Sequence, residues 1–246
     1  MKLLLPSIGI EWLDVVDAEL ASIIIRSFPS SPEVLEVGVW KGAWSVTVLL
    51  NTTAKVTGID PYPAGEDAKT ALFRSLNDND LGGRFVLESS WEALAPDKKF
   101  DLIHVDALHT EAALEADLIN ADERLSGGGV IIVDDFRHPW FPGASSAFYR
   151  FLDAKGYLIL CTSSNKAYVC RASSHSNLRG QFIELMKNPI SFIVFDYLTD
   201  ERPNQLYVSP TDVRGAPVLL IEKLSWLAPL KHKVYNLLPG WIRQKL

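Results

Sequence analysis

Short apolar segments alternate with helical patterns from residue 34 to residue 133, and this alternation limits the possible folds more than any other feature of the chain. The pattern predicts helices and strands in turn, with strands over 34–37, 55–60, 84–88, 101–105 and 130–133. Strict alternation requires right-handed crossovers and a parallel sheet with helices on both faces. Two further strands, 157–161 and 167–171, are joined so closely that they must be antiparallel. The sequence therefore predicts an α/β fold with a doubly wound, mostly parallel sheet that ends in an antiparallel hairpin.

The chain has 246 residues, enough for one large domain or one domain with an extension. The alternating pattern ends near residue 172, which predicts a domain over 1–172 and a C-terminal extension over 173–246 packed on it. The extension carries a predicted helix at 178–187, an apolar segment at 190–198, a Pro/Asn-rich turn near 202–204 and a basic, Leu- and Trp-containing end. It could serve as a lid, as an oligomer contact that makes a homo-oligomer, or as a surface contact.

Charge and cysteine content restrict the partners and the compartment. The net charge is -6, and residues 1–172 are acidic whereas residues 173–246 are mildly basic. Nucleic acid is not an expected partner, because phosphate binding requires clustered Lys and Arg. The sequence shows no transmembrane segment and no signal peptide, and its two cysteines, Cys161 and Cys170, are too few for a disulfide framework. We expect a cytoplasmic protein.

A glycine turn follows the first predicted strand of the sheet. It contains Glu36, Gly38 and Gly42, and it leads into a helix, so the backbone there is expected to approach a ligand closely. It is neither the Gly-x-Gly-x-x-Gly motif of nicotinamide enzymes nor a phosphate-binding loop. Asp60 ends the next strand, where an acid can accept hydrogen bonds from both hydroxyls of a ribose.

The order of these features resembles that of the class I S-adenosylmethionine-dependent methyltransferases, over roughly residues 30–172. The resemblance rests on the glycine turn, on Asp60, and on later strands that end in Asp, the second after a run of glycines. It implies a Rossmann-like seven-stranded sheet and S-adenosylmethionine as cofactor. It also implies that Glu36, Gly38 and Gly42 line the methionine end, that Asp60 binds the ribose, and that Ser90 and Trp91 lie near the adenine.

Three acids end two neighbouring strands of that fold. Asp106 follows the strand 101–105, and Asp134 and Asp135 follow the strand 130–133. Three bare carboxylates this close repel one another, which raises a pKa or requires a cation. All-oxygen ligands suit Mg²⁺ or a similar hard ion.

The same spacing resembles the metal-dependent O-methyltransferases, which include catechol O-methyltransferase and enzymes acting on macrolide and aminocoumarin sugars. The resemblance implies that Asp106, Asp134 and Asp135 bind the metal and that His109 is the catalytic base. An imidazole with an ordinary pKa of about 6.5 can accept a hydroxyl proton near neutrality. Leu108 departs from some sugar-modifying relatives, in which a further acid often stands there, and so puts the substrate in doubt.

The leading hypothesis is an O-methyltransferase that acts on a hydroxyl of a small molecule or sugar with the help of Mg²⁺. A loop with His138, Trp140 and Phe141 is expected to overhang the acceptor pocket of this enzyme. Two alternatives stay open at this point. The enzyme could work without metal, with its acids orienting the substrate by hydrogen bonds, or the protein could bind S-adenosylmethionine as a non-catalytic partner subunit.

Overall fold

The computed structural model describes nine strands and six α-helices. The described residues are 3–7, 9, 13–28, 30–62, 65–163, 165–186, 206–213 and 216–223. The strands are β1 (Glu33–Val37), β2 (Lys55–Ile59), β3 (Phe85–Glu88), β4 (Phe100–Val105), β5 (Leu125–Val133), β6 (Tyr157–Thr162), β7 (Ala167–Arg171), β8 (Leu206–Val213) and β9 (Ala216–Lys223). The helices are α1 (Val15–Ser27), α2 (Ala43–Asn51), α3 (Glu66–Asp78), α4 (Glu111–Arg124), α5 (Pro142–Lys155) and α6 (Ala172–Met186).

The strands form a single sheet in the order β3-β2-β1-β4-β5-β7-β6-β9-β8. The first five are parallel, and β7 lies antiparallel between β5 and β6. The predicted seven-stranded sheet with its terminal hairpin is thereby confirmed. A second hairpin, β8–β9, lengthens the sheet, because β9 pairs in parallel with β6.

Both strands of that second hairpin come from the segment predicted as a C-terminal extension. The division into a domain over 1–172 and an extension stays a prediction. The predicted features at 190–198 and 202–204 and the basic end of the chain lie outside the described residues. Within the described residues, none of the helices is both long enough and apolar enough to cross a membrane.

The central parallel strands β1, β4 and β5 bury both of their faces, and their side chains point alternately to opposite sides of the sheet. Val34, Leu102 and Val130 face one apolar core, which is completed by α1, α2, α3 and α6. Their chain neighbours face a second core, which is completed by α4 and α5. The sheet is therefore the middle layer of three.

The register of the central strands brings their carboxyl ends together. The backbone N–H of Asp106 donates to Val37 O at 2.8 Å, and that of Asp134 donates to Val105 O at 3.0 Å. On the other side of β5, Val133 pairs with Ala167 in the antiparallel register. That pairing places Lys166, the residue before Ala167, beside Asp134.

Candidate functional site

A cavity of about 500 Å³ opens at the carboxyl ends of β1, β4 and β5. Its walls come from the segment before α1, the glycine turn, the ends of β4 and β5, and the loop before α5. The lining residues are Gly9, Leu13, Asp14, Glu36, Gly38, Val39, Trp40, Ala43, Trp44, His104, Asp106, His109, Asp134, Asp135, His138, Trp140, Phe141 and Lys166. Nine predicted site residues or loop residues therefore share one cavity with several that the sequence did not single out.

The glycine turn holds the strand ends together. Gly38 has a φ of +87°, and a Cβ on it would lie 2.0 Å from the backbone oxygen of Asp106. Gly42 has a φ of +75°, and a Cβ there would lie 2.2 Å from Leu72 Cδ1 on α3. The turn was predicted to let the backbone approach a ligand, but both glycines are required by the protein's own packing.

Asp60 fixes the same turn from the end of β2. Its Oδ2 accepts hydrogen bonds from the backbone N–H groups of Val39 (3.0 Å) and Trp40 (2.8 Å), and its Oδ1 accepts one from Tyr62 (2.6 Å). An ionised carboxylate has about four acceptor positions, so one remains for a further donor. The predicted contact between Asp60 and a ribose stays a prediction.

Ser90 and Trp91 lie away from the cavity lining. Ser90 precedes a short 3₁₀ turn, and the indole N–H of Trp91 donates to Asp117 Oδ1 on α4 at 2.8 Å. The predicted contact of these two residues with an adenine also stays a prediction.

Glu36 and His104 are polar residues buried side by side on one face of the sheet. They pair in the register of β1 and β4, and His104 Nδ1 lies 3.5 Å from Glu36 Oε1. The hydroxyl of Ser45 donates to the other oxygen of Glu36. Burial raises the pKa of Glu36 well above its usual range. The indole of Trp44 stacks on the His104 ring with 4.4 Å between centroids, which closes this side of the cavity.

Lys166 lies between the two acidic strand ends. Its side chain is 7% exposed, and its Nζ lies 2.8 Å from Asp134 Oδ1 and 3.5 Å from Asp106 Oδ2. The same Nζ lies 3.1 Å from His104 Nε2. Burial by itself would lower the pKa of Lys166, but the charges of Asp106 and Asp134 outweigh it and raise that pKa. The ammonium is therefore charged at neutral pH.

Burial and the Lys166 charge together shift the pKa values of its three neighbours. Burial, and then the Lys166 charge, lowers the pKa of His104 well below its usual range, so this imidazole is neutral. Burial raises the pKa of Asp134, but Lys166 more than compensates, and the net shift is downward. Asp106 is farther from the ammonium, and burial together with the Asp134 charge raises its pKa. The positive charge is thus matched mainly by Asp134.

His109 faces these acids from the loop after β4. Its Nε2 lies 3.6 Å from Asp135 Oδ2 and 3.9 Å from Asp106 Oδ1, which is beyond hydrogen-bond distance but close enough for a charge contact. The ring packs against Phe141 at 4.8 Å between centroids. His138 lies 5.2 Å from the Phe141 ring and 5.3 Å from that of Trp140. The predicted overhanging loop therefore forms an aromatic wall beside His109.

Comparison with known proteins finds one family model that matches part of the chain. Residues 35–136 match a family model described as a methyltransferase domain. The matched segment is similar to a methyltransferase domain. The predicted resemblance to class I S-adenosylmethionine-dependent methyltransferases is confirmed by this match. The comparison with curated proteins gives no match.

Solved structures show the same fold as this methyltransferase. A provisional caffeoyl-CoA O-methyltransferase from Staphylococcus aureus has 16% identity and a TM-score of 0.55, over 65% of this chain and 85% of that one. The TDP-rhamnose 3′-O-methyltransferase of calicheamicin biosynthesis has 20% identity and a TM-score of 0.50, over 63% and 77%. The O-methyltransferase of tomaymycin synthesis from Streptomyces achromogenes, in complex with S-adenosylmethionine, has 14% identity and a TM-score of 0.50, over 64% and 79%.

The cavity of the methyltransferase fits a methyl donor that carries a carboxylate. Trp44 lines it, and among the described residues the buried Nε1–H of Trp44 has no hydrogen-bond partner. An unsatisfied buried donor costs about 1–3 kcal/mol, which a bound acceptor would recover. Glu36 and Gly38, which the resemblance assigns to the methionine end, line the same cavity.

The acidic residues of the methyltransferase do not fit a divalent ion in this arrangement. No group of three or more His, Cys, Asp or Glu side chains within the described residues could hold a metal. An ion bound about 2.1 Å from Asp134 Oδ1 would lie no more than about 5 Å from the Lys166 ammonium. Repulsion between a divalent ion and an ammonium at this distance is about 7 kcal/mol at an effective dielectric constant of about 20. The predicted Mg²⁺ site of Asp106, Asp134 and Asp135 is therefore not supported.

The sequence did not point to Lys166 or Trp44. A lysine next to a turn is usually exposed, and only the antiparallel register of β5 and β7 shows that this one lies beside Asp134. Trp44 follows an apolar helical pattern and was indistinguishable from a core residue. The excess of negative charge at the strand ends was the signal that could have pointed to a residue such as Lys166. Buried negative charge must be neutralised by a cation, which is either a side chain of the protein or a bound ion.

Proposed function

We propose that this methyltransferase transfers a methyl group from S-adenosylmethionine to a hydroxyl of a small molecule or a sugar. The observation that carries the proposal is the position of His109. Its imidazole lies in the same cavity as the glycine turn, between two carboxylates and an aromatic wall. The cavity, at about 500 Å³, has the size typical of small-molecule sites.

Residues on the glycine-turn side have the task of holding the methyl donor. The Nε1–H of Trp44 is available to the donor's carboxylate, and the buried Glu36 accepts hydrogen bonds next to it. When bound, S-adenosylmethionine supplies an electrophilic methyl group on a sulfonium. Buried walls around that group exclude water, which strengthens every charge contact in the site.

His109 has the task of accepting the hydroxyl proton. The acceptor oxygen loses its proton to His109 Nε2 and gains the methyl group, while the electron pair of the broken carbon–sulfur bond stays on sulfur. Asp135, at 3.6 Å, stabilises the imidazolium that forms. Catalytic hydrogen bonds are commonly long before substrate binds, and a positioned base contributes about 10²–10⁴ in rate.

The aromatic wall favours an acceptor with a ring. Phe141, His138 and Trp140 offer flat surfaces on the open side of the cavity, and the Trp140 side chain is 81% exposed. Two of the similar structures are described as O-methyltransferases for caffeoyl-CoA and for TDP-rhamnose. These names support a hydroxyl as the acceptor. The sequence left open whether the transfer is assisted by Mg²⁺ or works without metal. The proposed transfer is the one without metal, because Lys166 lies among the acids.

Methyl transfer from labelled S-adenosylmethionine to catechol, caffeic acid and TDP-rhamnose tests the proposal. His109→Gln is expected to lower kcat about 100-fold or more, and calorimetry is expected to show unchanged affinity for S-adenosylhomocysteine. His138→Gln, which alters a histidine of the aromatic wall, is the comparison variant and should raise KM for a ring-bearing acceptor but keep most of kcat. A His109→Gln protein with more than half of the original kcat would contradict the assignment of the base. Binding of S-adenosylhomocysteine without transfer to any hydroxyl would instead favour the non-catalytic partner subunit.

A further inference from the structure

We infer that the Lys166 ammonium takes the place of a divalent cation between Asp106 and Asp134, so that the acceptor side of the site works without metal. The second half of this inference rests on the proposed function. The part that places the Lys166 ammonium where a divalent cation would bind concerns only the charge of the site, and it does not depend on the identity of the acceptor.

The turn between β6 and β7 fixes the position of Lys166. The backbone N–H of Lys166 donates to Ser163 Oγ at 3.1 Å, and Lys166 O accepts from the backbone N–H of Ser163 at 2.9 Å. Arg137 in turn donates to Ser163 O at 2.7 Å. A lysine side chain anchored in this way and buried along its stem cannot withdraw into solvent as a surface lysine does.

The contacts of the ammonium account for all three of its protons. They are directed at Asp134 Oδ1, at His104 Nε2 and, at the longer distance of 3.5 Å, at Asp106 Oδ2. Because His104 Nε2 accepts from Lys166, the ring proton is on Nδ1, which faces Glu36. Lys166 thus contacts both His104 and Asp134, and the Nδ1 of His104 lies 3.5 Å from Glu36 Oε1.

Asp106 transmits the effect of Lys166 to the acceptor. Its side chain is 32% exposed and lines the cavity, and its Oδ1 lies 3.9 Å from His109 Nε2. A hydroxyl that donates to Asp106 is therefore next to the base. Lys166 contacts both carboxylates, so its role here is that of a positioning residue that holds Asp106 and Asp134 together.

Calorimetric titration of MgCl₂ and MnCl₂ into the full-length protein tests the inference without requiring methyl transfer. The wild-type protein is expected to show no saturable binding in the millimolar range. Lys166→Met keeps the apolar stem but removes the charge, and it should bind Mg²⁺ at least about tenfold more tightly because the repulsion is gone. Lys166→Arg keeps the charge and should behave as the wild type. Lys155→Met, which removes a surface lysine paired with Asp122, is the matched control.

Turnover is then measured with the acceptor that the transfer assay identifies. Wild-type turnover should be unchanged by excess chelator, and Lys166→Met should lose turnover and recover part of it when Mg²⁺ is added. Tight Mg²⁺ binding by the wild-type protein would overturn the inference even if the Lys166 variants fail to fold. A folded Lys166→Met protein that gains no affinity for Mg²⁺ would also overturn it. If the proposed function alone is wrong, transfer is absent but the binding results still hold.

Discussion

Replacing Gly38 with alanine tests why a glycine is required at this position. The requirement has two possible causes, which are the positive φ of residue 38 and the close approach of the ends of β1 and β4. The φ of +87° costs a residue with a Cβ about 1–2 kcal/mol. The new Cβ would also lie 2.0 Å from Asp106 O and 2.6 Å from Asp106 C, distances that Cβ atoms essentially never show. Overpacking of this kind adds about 1–3 kcal/mol. The total loss of unfolding free energy is therefore about 2–5 kcal/mol.

Two other glycines separate these contributions. Gly156 ends α5 with a φ of +68° and has no atom within 4 Å of a built Cβ, so Gly156→Ala measures the conformational cost alone. Gly128 in β5 has open space and no positive φ, so Gly128→Ala should leave stability unchanged or raise it by up to about 1 kcal/mol.

Thermal unfolding of the three variants by circular dichroism provides the measurement. For a domain of this size, about 1 kcal/mol corresponds to about 2–4 °C in Tm. Gly156→Ala should therefore lower Tm by about 2–8 °C, and Gly38→Ala by about 4–20 °C. Gly38→Ala should also weaken S-adenosylhomocysteine binding, because the end of β4 must move. Equal Tm losses for Gly38→Ala and Gly156→Ala would refute the explanation by close approach.

Three further outcomes are expected. Asp60→Asn replaces one of the two accepting oxygens by an NH2 donor, so it should lower unfolding free energy by about 2 kcal/mol in urea titrations and weaken S-adenosylhomocysteine binding. Burial raises the pKa of Asp17 to about 6. The protonated carboxyl therefore stabilises the folded state fully below pH 3.8, and this stabilisation is lost as the pH rises through 6. That loss approaches about 3 kcal/mol and should be missing from Asp17→Asn when Tm is followed against pH. Trp140→Ala should leave Tm unchanged, since the side chain is 81% exposed, but raise KM for a ring-bearing acceptor; an unchanged KM would argue against the aromatic wall.

Much of the fold follows from local pattern. Strands β1, β4 and β5 are buried on both faces, so their apolar runs are nearly continuous and easily recognised. Strands β8 and β9 were not predicted, because Pro210 and Pro217 interrupt their pattern. Proline is tolerated at the edge of a sheet, and β8 is the last strand of this one.

The candidate site was predictable as far as it depends on strand ends. Asp106, Asp134 and His109 each follow a recognisable strand, and the parallel order of the sheet brings them into one cavity. The position of Lys166, which supplies the positive charge, was not predictable in the same way. It depends on which residue of the second hairpin strand pairs with β5, and a shift of one position would point Lys166 away from Asp134.

The position of Lys166 in the chain affects the order in which this domain can mature. Lys166 lies 62 residues after His104, whereas Asp106 and Asp134 belong to the segments of β4 and β5 that the ribosome makes first. Until β7 docks against β5, the nascent domain holds Asp106 and Asp134 without the Lys166 charge at its sheet edge. Contacts between distant parts of a chain form slowly, because the loop between them must first be closed at a cost in entropy. Completion of the cavity is therefore coupled to synthesis of the terminal hairpin, and a shorter fragment with all five parallel strands would still lack a neutralised acceptor site.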